Sequence, residues 1–443
     1  MSLLERIQKQ QGDGQPSTAP PPSAVEVLKN ELKAKLQTYL LQELRSDELN
    51  DPRTVRRKVK ELAETFFLAE TERLGAAEEQ HLIEETVDEV TGYGPITVFI
   101  KDPAVSEIMV NGPNQIFVEK GGKLVRTRQA FRDDRHVLQV IEKIVAPLGR
   151  RIDESTPMVD ARLPDGSRVN AVIPPLALNG PTVTIRKFPT KRLEIDDLIR
   201  FGTLSPNMAK FLEGSIIARL NLFISGGTGS GKTTLLNVLS SFIPSDERIV
   251  TIEDAAELKL HQEHVVSLET RPPNVEGKGA VTIRDLVRNS LRMRPERIII
   301  GEVRSAEALD MLQAMNTGHD GSLATGHANS PRDMLARLET MVLMSGMDLP
   351  MRAIREQISG AIDLIVQQTR MKDGSRKITH ITEVLGMEGE TIVLQDIFVF
   401  RQTGVKPDGT IIGDFAPTGI RPQCLDNLDQ YGIAIPPEWF WES

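Results

Sequence analysis

The sequence predicts an α/β protein whose mainly parallel sheet is covered by helices. An α+β domain and a small helical bundle precede it. Three observations carry this. From Asn221 onward, short apolar runs alternate with amphipathic ones ("NLFISG", helix, "RIVTIED", "HVVSLE", helix, "RIIIGE", helix, "SLATGH", helix, "LIVQQTR"), the signature of strands crossing over through helices. A glycine-rich stretch, "GGTGSGKT", stands at one strand-to-helix junction. Before that region, residues 25–90 repeat leucines at helical spacing.

Composition fits this picture. The chain has 443 residues, enough for several domains, with 40% hydrophobic and 26% charged residues. No run approaches the roughly 18 apolar residues of a membrane span, and "MSLLERIQKQQGDGQ" lacks the apolar core and cleavage site of a signal peptide. Cys424 is the single cysteine, which excludes an internal disulfide and a cysteine-rich zinc site. The formal charge of −9 weighs against a general nucleic-acid coat. The expectation is a cytoplasmic, multidomain protein.

Four segments follow in order. Residues 1–24 form a polar head and a proline-rich linker, "QPSTAPPPSA". Residues 25–90 predict a helical bundle, with Leu28, Leu32, Leu36 and Leu40 on one face and a second helix opening at Asp51 and Pro52. Residues 91–190 predict an α+β domain: strands in "SEIMVNG" and "QIFVEKGGKLVRT", the latter a hairpin around Gly121 and Gly122, then the helix "DDRHVLQVIEKIVAPL", then strands in "DARLPDGSRVNAVIPP" and "PTVTIRKF". Residues 191–443 carry the parallel sheet, a hairpin from Lys377 and an irregular, proline-bearing tail.

The stretch from Gly226 to Thr233 satisfies G-x-x-x-x-G-K-[ST], with a strand before it and a helix after it. Gly226, Gly227, Gly229 and Gly231 let backbone N–H groups converge on phosphates, with Thr228 and Ser230 between them, and the helix start at Thr233 and Thr234 adds positive potential. Lys232 should reach the β- and γ-phosphates of a nucleotide, and the Thr233 hydroxyl should ligate Mg²⁺. Hydrolysis needs carboxylates on neighbouring strands. Glu253 and Asp254 end one strand and Glu302 follows another, at the edge where open parallel sheets bind ligands. One carboxylate can polarise water while another holds magnesium, directly or through water. Taken singly, each also reads as a helix cap or a surface charge.

Other residues carry weaker signals. Arg284, Arg288 and Arg292 form a basic stripe that either faces a partner or is paired within the chain. His261 and His264 flank Glu263 without further ligands for a metal. His319 reads as a loop residue. His327 follows the strand "SLAT", with Asn329 close by to orient it and Ser330-Pro331 opening the next helix.

As a set, "GGTGSGKTT", "TIEDAAEL", "IIIGEVR" and "GSLATGHANSP" resemble the Walker A, Asp, Walker B and His boxes of the ATPase family that drives type II and type IV secretion and pilus assembly. "GYGPITVFIKDPAVSEIMVNG" and "SLRMRPERIIIGEVR" resemble most closely the CpaF-type ATPases of tight-adherence pilus systems. The resemblance runs from about Gly92 to the C-terminus. It implies a ring-shaped homo-hexamer in which an N-terminal domain and a RecA-like C-terminal domain clamp ATP. It also implies docking at the cytoplasmic face of the inner membrane onto platform proteins.

Residue by residue, the resemblance gives Lys232 and Thr233 the phosphate and Mg²⁺ roles. Glu253 and Glu302 share water activation and magnesium organisation in either order. His327 becomes a γ-phosphate sensor or contact. Arg162, Arg168 and Arg186 become candidate arginine fingers, with Arg150 and Arg151 behind them. The zinc module of some type II secretion relatives is not expected with one cysteine, and the boxes do not encode extension or retraction. Two other readings remain open: a nucleic-acid motor on the same core, although few aromatics are present for base stacking, and a nucleotide-gated scaffold with little turnover.

Overall fold

The computed structural model describes residues 24–43, 52–70, 74–188, 193–273 and 278–441. The proline-rich linker up to residue 23 and the Asp51 cap lie outside these residues. The chain divides into two compact units, Met1–Thr190 and Lys191–Ser443.

The first unit opens with helices α1 (Ala24–Glu43), α2 (Pro52–Ala69) and α3 (Ala76–Thr91). The predicted leucine stripe is their seam. Leu32, Leu36 and Leu40 are fully buried against Val59, Ala63 and Phe67 of α2 and Leu82 and Val87 of α3. Each such leucine contributes about 1.5–3 kcal/mol by leaving water. A short helix α4 (Thr97–Lys101) then leads to β1 (Val105–Asn111), β2 (Ile116–Lys120) and β3 (Lys123–Arg126). Gly121 and Gly122, at φ +57° and +77°, make the two-residue turn of the β2–β3 hairpin.

Helix α5 (Asp134–Val145) starts where the Asp133 carboxylate accepts the His136 N–H at 2.7 Å. Strands β4 (Met158–Arg162), β5 (Arg168–Val172) and β6 (Thr182–Arg186) complete an antiparallel sheet in the order β3-β2-β1-β6-β5-β4. Strict alternation on β1, β5 and β6 sends Ile108, Val110, Val169, Ala171, Val183 and Ile185 into a core shared with Val137, Ile141 and Ile144 of α5.

The second unit begins with α6 (Ile195–Arg200) and α7 (Pro206–Ile217). It continues through β7 (Leu222–Gly226), α8 (Lys232–Ser240), β8 (Ile249–Glu253), β9 (Val265–Glu269), α9 (Ile283–Ser290), β10 (Arg297–Ile300), α10 (Glu307–Met315), β11 (Leu323–Gly326), α11 (Pro331–Leu343) and α12 (Met351–Ala361). Then come β12 (Leu364–Arg370), β13 (Arg376–Glu388), β14 (Thr391–Val405), β15 (Ile411–Pro417) and α13 (Leu425–Gln430).

Nine strands form one sheet, β15-β14-β13-β12-β7-β11-β10-β8-β9. From β12 to β9 every pairing is parallel, and β13, β14 and β15 add antiparallel strands at one edge. This is the mainly parallel α/β arrangement the sequence predicts. The tail, expected to be irregular, instead supplies β15 and α13, because "TIIGDFAP" pairs with β14 and Cys424, Leu425 and Leu428 pack into the core.

The strands have near-continuous apolar runs because helices cover both faces. Leu222, Ile224, Ile249 and Ile299 face one core with α7 and α8, while Phe223, Val250, Ile298 and Ile300 face the other with α10 and α11. At the N-terminal ends of the strands, Arg297 is wholly buried and held by Glu247 through two bonds, Nε to Oε2 at 2.5 Å and Nη2 to Oε1 at 2.9 Å. Its Nη1 donates to the carbonyls of Ile216 (2.9 Å) and Gly321 (3.2 Å). One guanidinium thus ties together α7, the loop before β8 and the loop before β11.

Candidate functional site

Register brings the sequence-predicted residues to one edge of the parallel sheet. Ser225 pairs with Gly326, so His327 emerges beside Gly226. Ile252 pairs with Ile300, so Gly301 and Glu302 emerge beside Glu253. These are the carboxyl ends of the strands, where such sheets bind ligands.

The glycine-rich stretch folds as a loop that demands its glycines. Gly229 and Gly231 have φ of +70° and +98°. At Gly226 a side chain would collide with the Gln368 carbonyl of β12 and lie 2.6 Å from Ser230 Oγ. Helix α8 then starts at Lys232 with no side-chain cap, so its first N–H groups point to the loop's mouth. Ser230 is buried, and its hydroxyl has no hydrogen-bond partner among the described residues. Thr233 is half-buried on the first turn and Thr234 is exposed.

Lys232 is 7% exposed, and its Nζ donates to the Gly227 carbonyl at 3.0 Å. Burial depresses its pKa against the pull of the Glu302 charge. The same Nζ lies 3.3 Å from His327 Nδ1. An ammonium can only donate, so Nδ1 accepts and the ring proton sits on Nε2. Nε2 lies 2.8 Å from Glu302 Oε1, without the alignment of a hydrogen bond. Burial and the Lys232 charge lower the His327 pKa against the opposing effect of Glu302, which keeps the imidazole neutral near pH 7.

Glu302 is held on its other oxygen by Arg304, whose Nη2 donates to Oε2 at 2.7 Å. Burial alone would raise the Glu302 pKa; the Arg304 bond and the charges of Arg304, His327 and Lys232 outweigh it and leave the carboxyl below its ordinary value. Glu253 is placed differently. It is 3% exposed, and its Oε1 accepts the N–H groups of Glu257 (2.9 Å) and Leu258 (3.2 Å). It thereby closes the turn after β8. Gly301 lacks a side chain where Glu253 passes, since a Cβ there would lie 2.8 Å from Glu253 Cγ. Asp254 is exposed and pairs with Arg304 at 3.5 Å.

The group that best fits Mg²⁺ is Glu302. Its Oε1 is buried with no hydrogen-bond partner among the described residues, and an ionised carboxylate oxygen beside a threonine-bearing phosphate loop is the hard donor chemistry this ion prefers.

Two further side chains complete the site. Gln367, 1% exposed on β12, donates Nε2 to the Ala328 carbonyl at 3.1 Å and so fixes the peptide after His327. Arg304 was visible only as the residue after "GEV".

In the first unit, Arg162, Arg168 and Arg186 share one cross-strand row: Arg162 pairs with Arg168 and Arg168 with Arg186. Arg186 Nε stands 3.7 Å from Glu107 on β1. Arg150 donates to the Asp160 carbonyl, and Arg151 is exposed. In the second unit, Arg284 and Arg288 of α9 both clamp the buried Asp310, at 2.7 and 2.8 Å, so the basic stripe is largely an intrachain pairing. His264 meets the Arg248 guanidinium, and His319 Nδ1 lies 3.2 Å from the Ala314 carbonyl. No cluster of three or more histidine, cysteine or acidic residues that could hold a metal occurs among the described residues.

The sequence profile described as "Type II/IV secretion system protein" matches residues 89–396. The chain belongs to the type II/IV secretion system ATPase family. Members of this family hydrolyse ATP, and the chain is an ATP-binding ATPase. Among its relatives, a "Putative conjugal transfer protein" of Mycobacterium tuberculosis is 36% identical over 333 residues, 74% of this chain and 93% of the relative. The "Type IV secretion system protein VirB11" of Bartonella henselae is 33% identical over 343 residues, 68% and 94% of the two chains. The solved VirB11 ATPase of the Brucella suis type IV secretion system, in complex with sulphate, is 30% identical, covering 65% of this chain and 94% of that one with a TM-score of 0.36. The family's likeness lies in the sequence matches. No helix among the described residues is long and apolar enough to cross a membrane.

Proposed function

We propose that the chain is a Mg²⁺-dependent, homo-hexameric ATPase that powers pilus assembly of the tight-adherence kind, docked on inner-membrane platform proteins at the cytoplasmic face. The observation that carries the ATPase chemistry is the convergence of Lys232, His327 and Glu302 at the mouth of the phosphate loop, with Nζ–Nδ1 and Nε2–Oε1 separations of 3.3 and 2.8 Å. The tight-adherence kind is supported by the resemblance of "GYGPITVFIKDPAVSEIMVNG" and "SLRMRPERIIIGEVR".

The chemistry follows from these groups. Loop N–H groups and the start of α8 receive the phosphates, and Lys232 neutralises the β- and γ-oxygens. Thr233 and Glu302 would hold magnesium, which neutralises charge on the phosphates and fixes their geometry when bound. With its basicity lowered, His327 is suited to donate a ring N–H to a γ-phosphate oxygen and is a poor general base. Glu302 is also the carboxylate best placed to orient water, because Glu253 is engaged with backbone N–H groups. Arg162, Arg168 and Arg186 are assigned as cationic donors to the charge that develops in transfer.

Phosphate release by the purified full chain tests the reading. Turnover should require Mg²⁺, stop with a chelator and fall at least about 100-fold in Lys232→Ala; Mg²⁺-independent turnover, or full activity in that variant, overturns it. Sedimentation with a non-hydrolysable ATP analogue tests the hexamer, and pilus loss in cells carrying Lys232→Ala tests the assembly role.

A further inference from the structure

The ladder between β7 and β12 ends at the rung Gly226–Gln368. Beyond it β7 turns into the phosphate loop, while β12 runs on to Arg370 and the chain returns as β13 from Arg376. The hairpin tip therefore stands along one flank of the loop. Arg376 Nε donates to the Gly229 carbonyl at 3.2 Å, and its Cδ lies 3.0 Å from where a Cβ on Gly231 would sit. Arg370 Nη1 lies 3.6 Å from the equivalent point on Gly229.

Arg370 and Arg376 are direct partners across the hairpin, an arrangement in which like charges repel. The tip holds them there. Met371 N–H donates to the Ser375 carbonyl at 2.7 Å, Gly374 turns at φ +84°, and Asp373 accepts from Ser375 and from the Ile411 N–H at 2.8 Å. A register shift between Gln367 and Gln368 precedes the pair, a device that re-aims side chains at strand ends. The adjacent Lys377 is engaged elsewhere, on the Gly202 carbonyl at 2.6 Å.

Strand order gives the direction of a bound nucleotide. His327, Glu302 and Glu253 follow or end β11, β10 and β8, all on the opposite side of β7 from β12. A polyphosphate with its terminal group at His327 and Glu302 leads its other end toward the β12–β13 hairpin. This step rests on the reading of the loop as an ATP site. We propose that Arg370 and Arg376 bind the α-phosphate of the nucleotide held by the phosphate loop of the same chain. Two guanidinium groups match a phosphate's oxygens in planar, paired hydrogen bonds, and each has five donors, so holding Gly229 and binding phosphate are compatible.

Calorimetric titration of the full chain with ADP and with inorganic phosphate tests this. A single phosphate fills one position, the one beside Lys232, whereas ADP brings a second group. Arg370→Ala and Arg376→Ala should each weaken ADP binding about tenfold, a charge-assisted bond's worth, with inorganic phosphate binding changed less than about twofold. The KM for ATP should rise about tenfold while kcat falls less than about twofold, and Arg376→Lys should recover part of the loss.

Unchanged ADP affinity in the double variant overturns the proposal. Equal losses for ADP and inorganic phosphate also overturn it, because they would mean that Arg376 only props the loop. Should Arg376→Ala fail to fold, Arg370→Ala, whose side chain is exposed, decides alone. Failure of the ATP-site reading is separate: it would appear as ADP and inorganic phosphate binding that survives Lys232→Ala.

Discussion

The Lys232 ammonium and the His327 imidazole meet 3.3 Å apart, Nζ to Nδ1, so the phosphate-loop lysine dictates which nitrogen of the histidine carries the proton. A nucleotide drawing Lys232 toward its phosphates would remove that constraint, so the ring's state depends on whether the loop is filled. His327→Ala should bind ATP within about threefold of the parent while kcat falls about 100-fold, the scale of a lost transition-state donor. Equilibrium binding and single-turnover hydrolysis on the same preparation separate the two effects. Full-rate hydrolysis in the variant would rule out a γ-phosphate contact.

The two glutamates should separate by readout. Glu302→Gln should abolish turnover by at least about 100-fold and leave the melting temperature near its parent value. Glu253→Gln should instead lower stability by roughly 1 kcal/mol, because one of the two carboxyl oxygens that meet the N–H groups of Glu257 and Leu258 becomes an NH2 donor. Denaturant melts paired with phosphate-release assays make the comparison. A stable but inactive Glu253→Gln would reverse the assignment.

Gly321 opens the "GSLATGH" box with φ +82°, and a Cβ there would overlap the Arg297 guanidinium. Gly321→Ala should therefore cost about 3 kcal/mol through overpacking and left-handed backbone strain. Since the clash lies at the far ends of the strands, the folded fraction should keep the parent's KM for ATP. Chemical denaturation checks the first expectation and steady-state kinetics the second.

Asp363, at the start of β12, has its carboxyl pushed up to about 6 by burial, reinforced by the charges of Asp320 and Glu383 and opposed by the Asn221 N–H at 2.7 Å. The folded state thus holds its proton more tightly than the unfolded chain does. Stability on this account falls as pH rises from about 4 to about 6, and the penalty stays above that range. Asp363→Asn, which retains an acceptor for Asn221, should melt several degrees higher at pH 7.5 and no higher near pH 4. Equal gains at both values would count against the assignment.

Much of this was legible because it is local. The phosphate loop needs glycines and a lysine at fixed spacing, and strand–helix alternation needs only apolar periodicity. The leucine stripe Leu32, Leu36 and Leu40 likewise reads directly from helical spacing. What depends on register was not legible. Arg370 and Arg376 carry no motif, and only the β12–β13 pairing and the end of the β7–β12 ladder put them by the loop. Whether Arg284 and Arg288 face a partner or pair within the chain could not be read from their spacing, because Asp310, which bonds to both, lies on another helix. The tail looked irregular since β15 is a strand by virtue of its neighbour β14.

The knot of Arg297, Glu247 and Gly321 changes what a sequence signature means here. "GSLATGH" looks like one motif, yet its first glycine answers to a buried guanidinium and its last residue to the phosphate loop. Two unrelated physical demands stand at the two ends of a single strand. Loss of the glycine would report on folding and loss of the histidine on chemistry, so a pattern score that weights them alike merges two kinds of information.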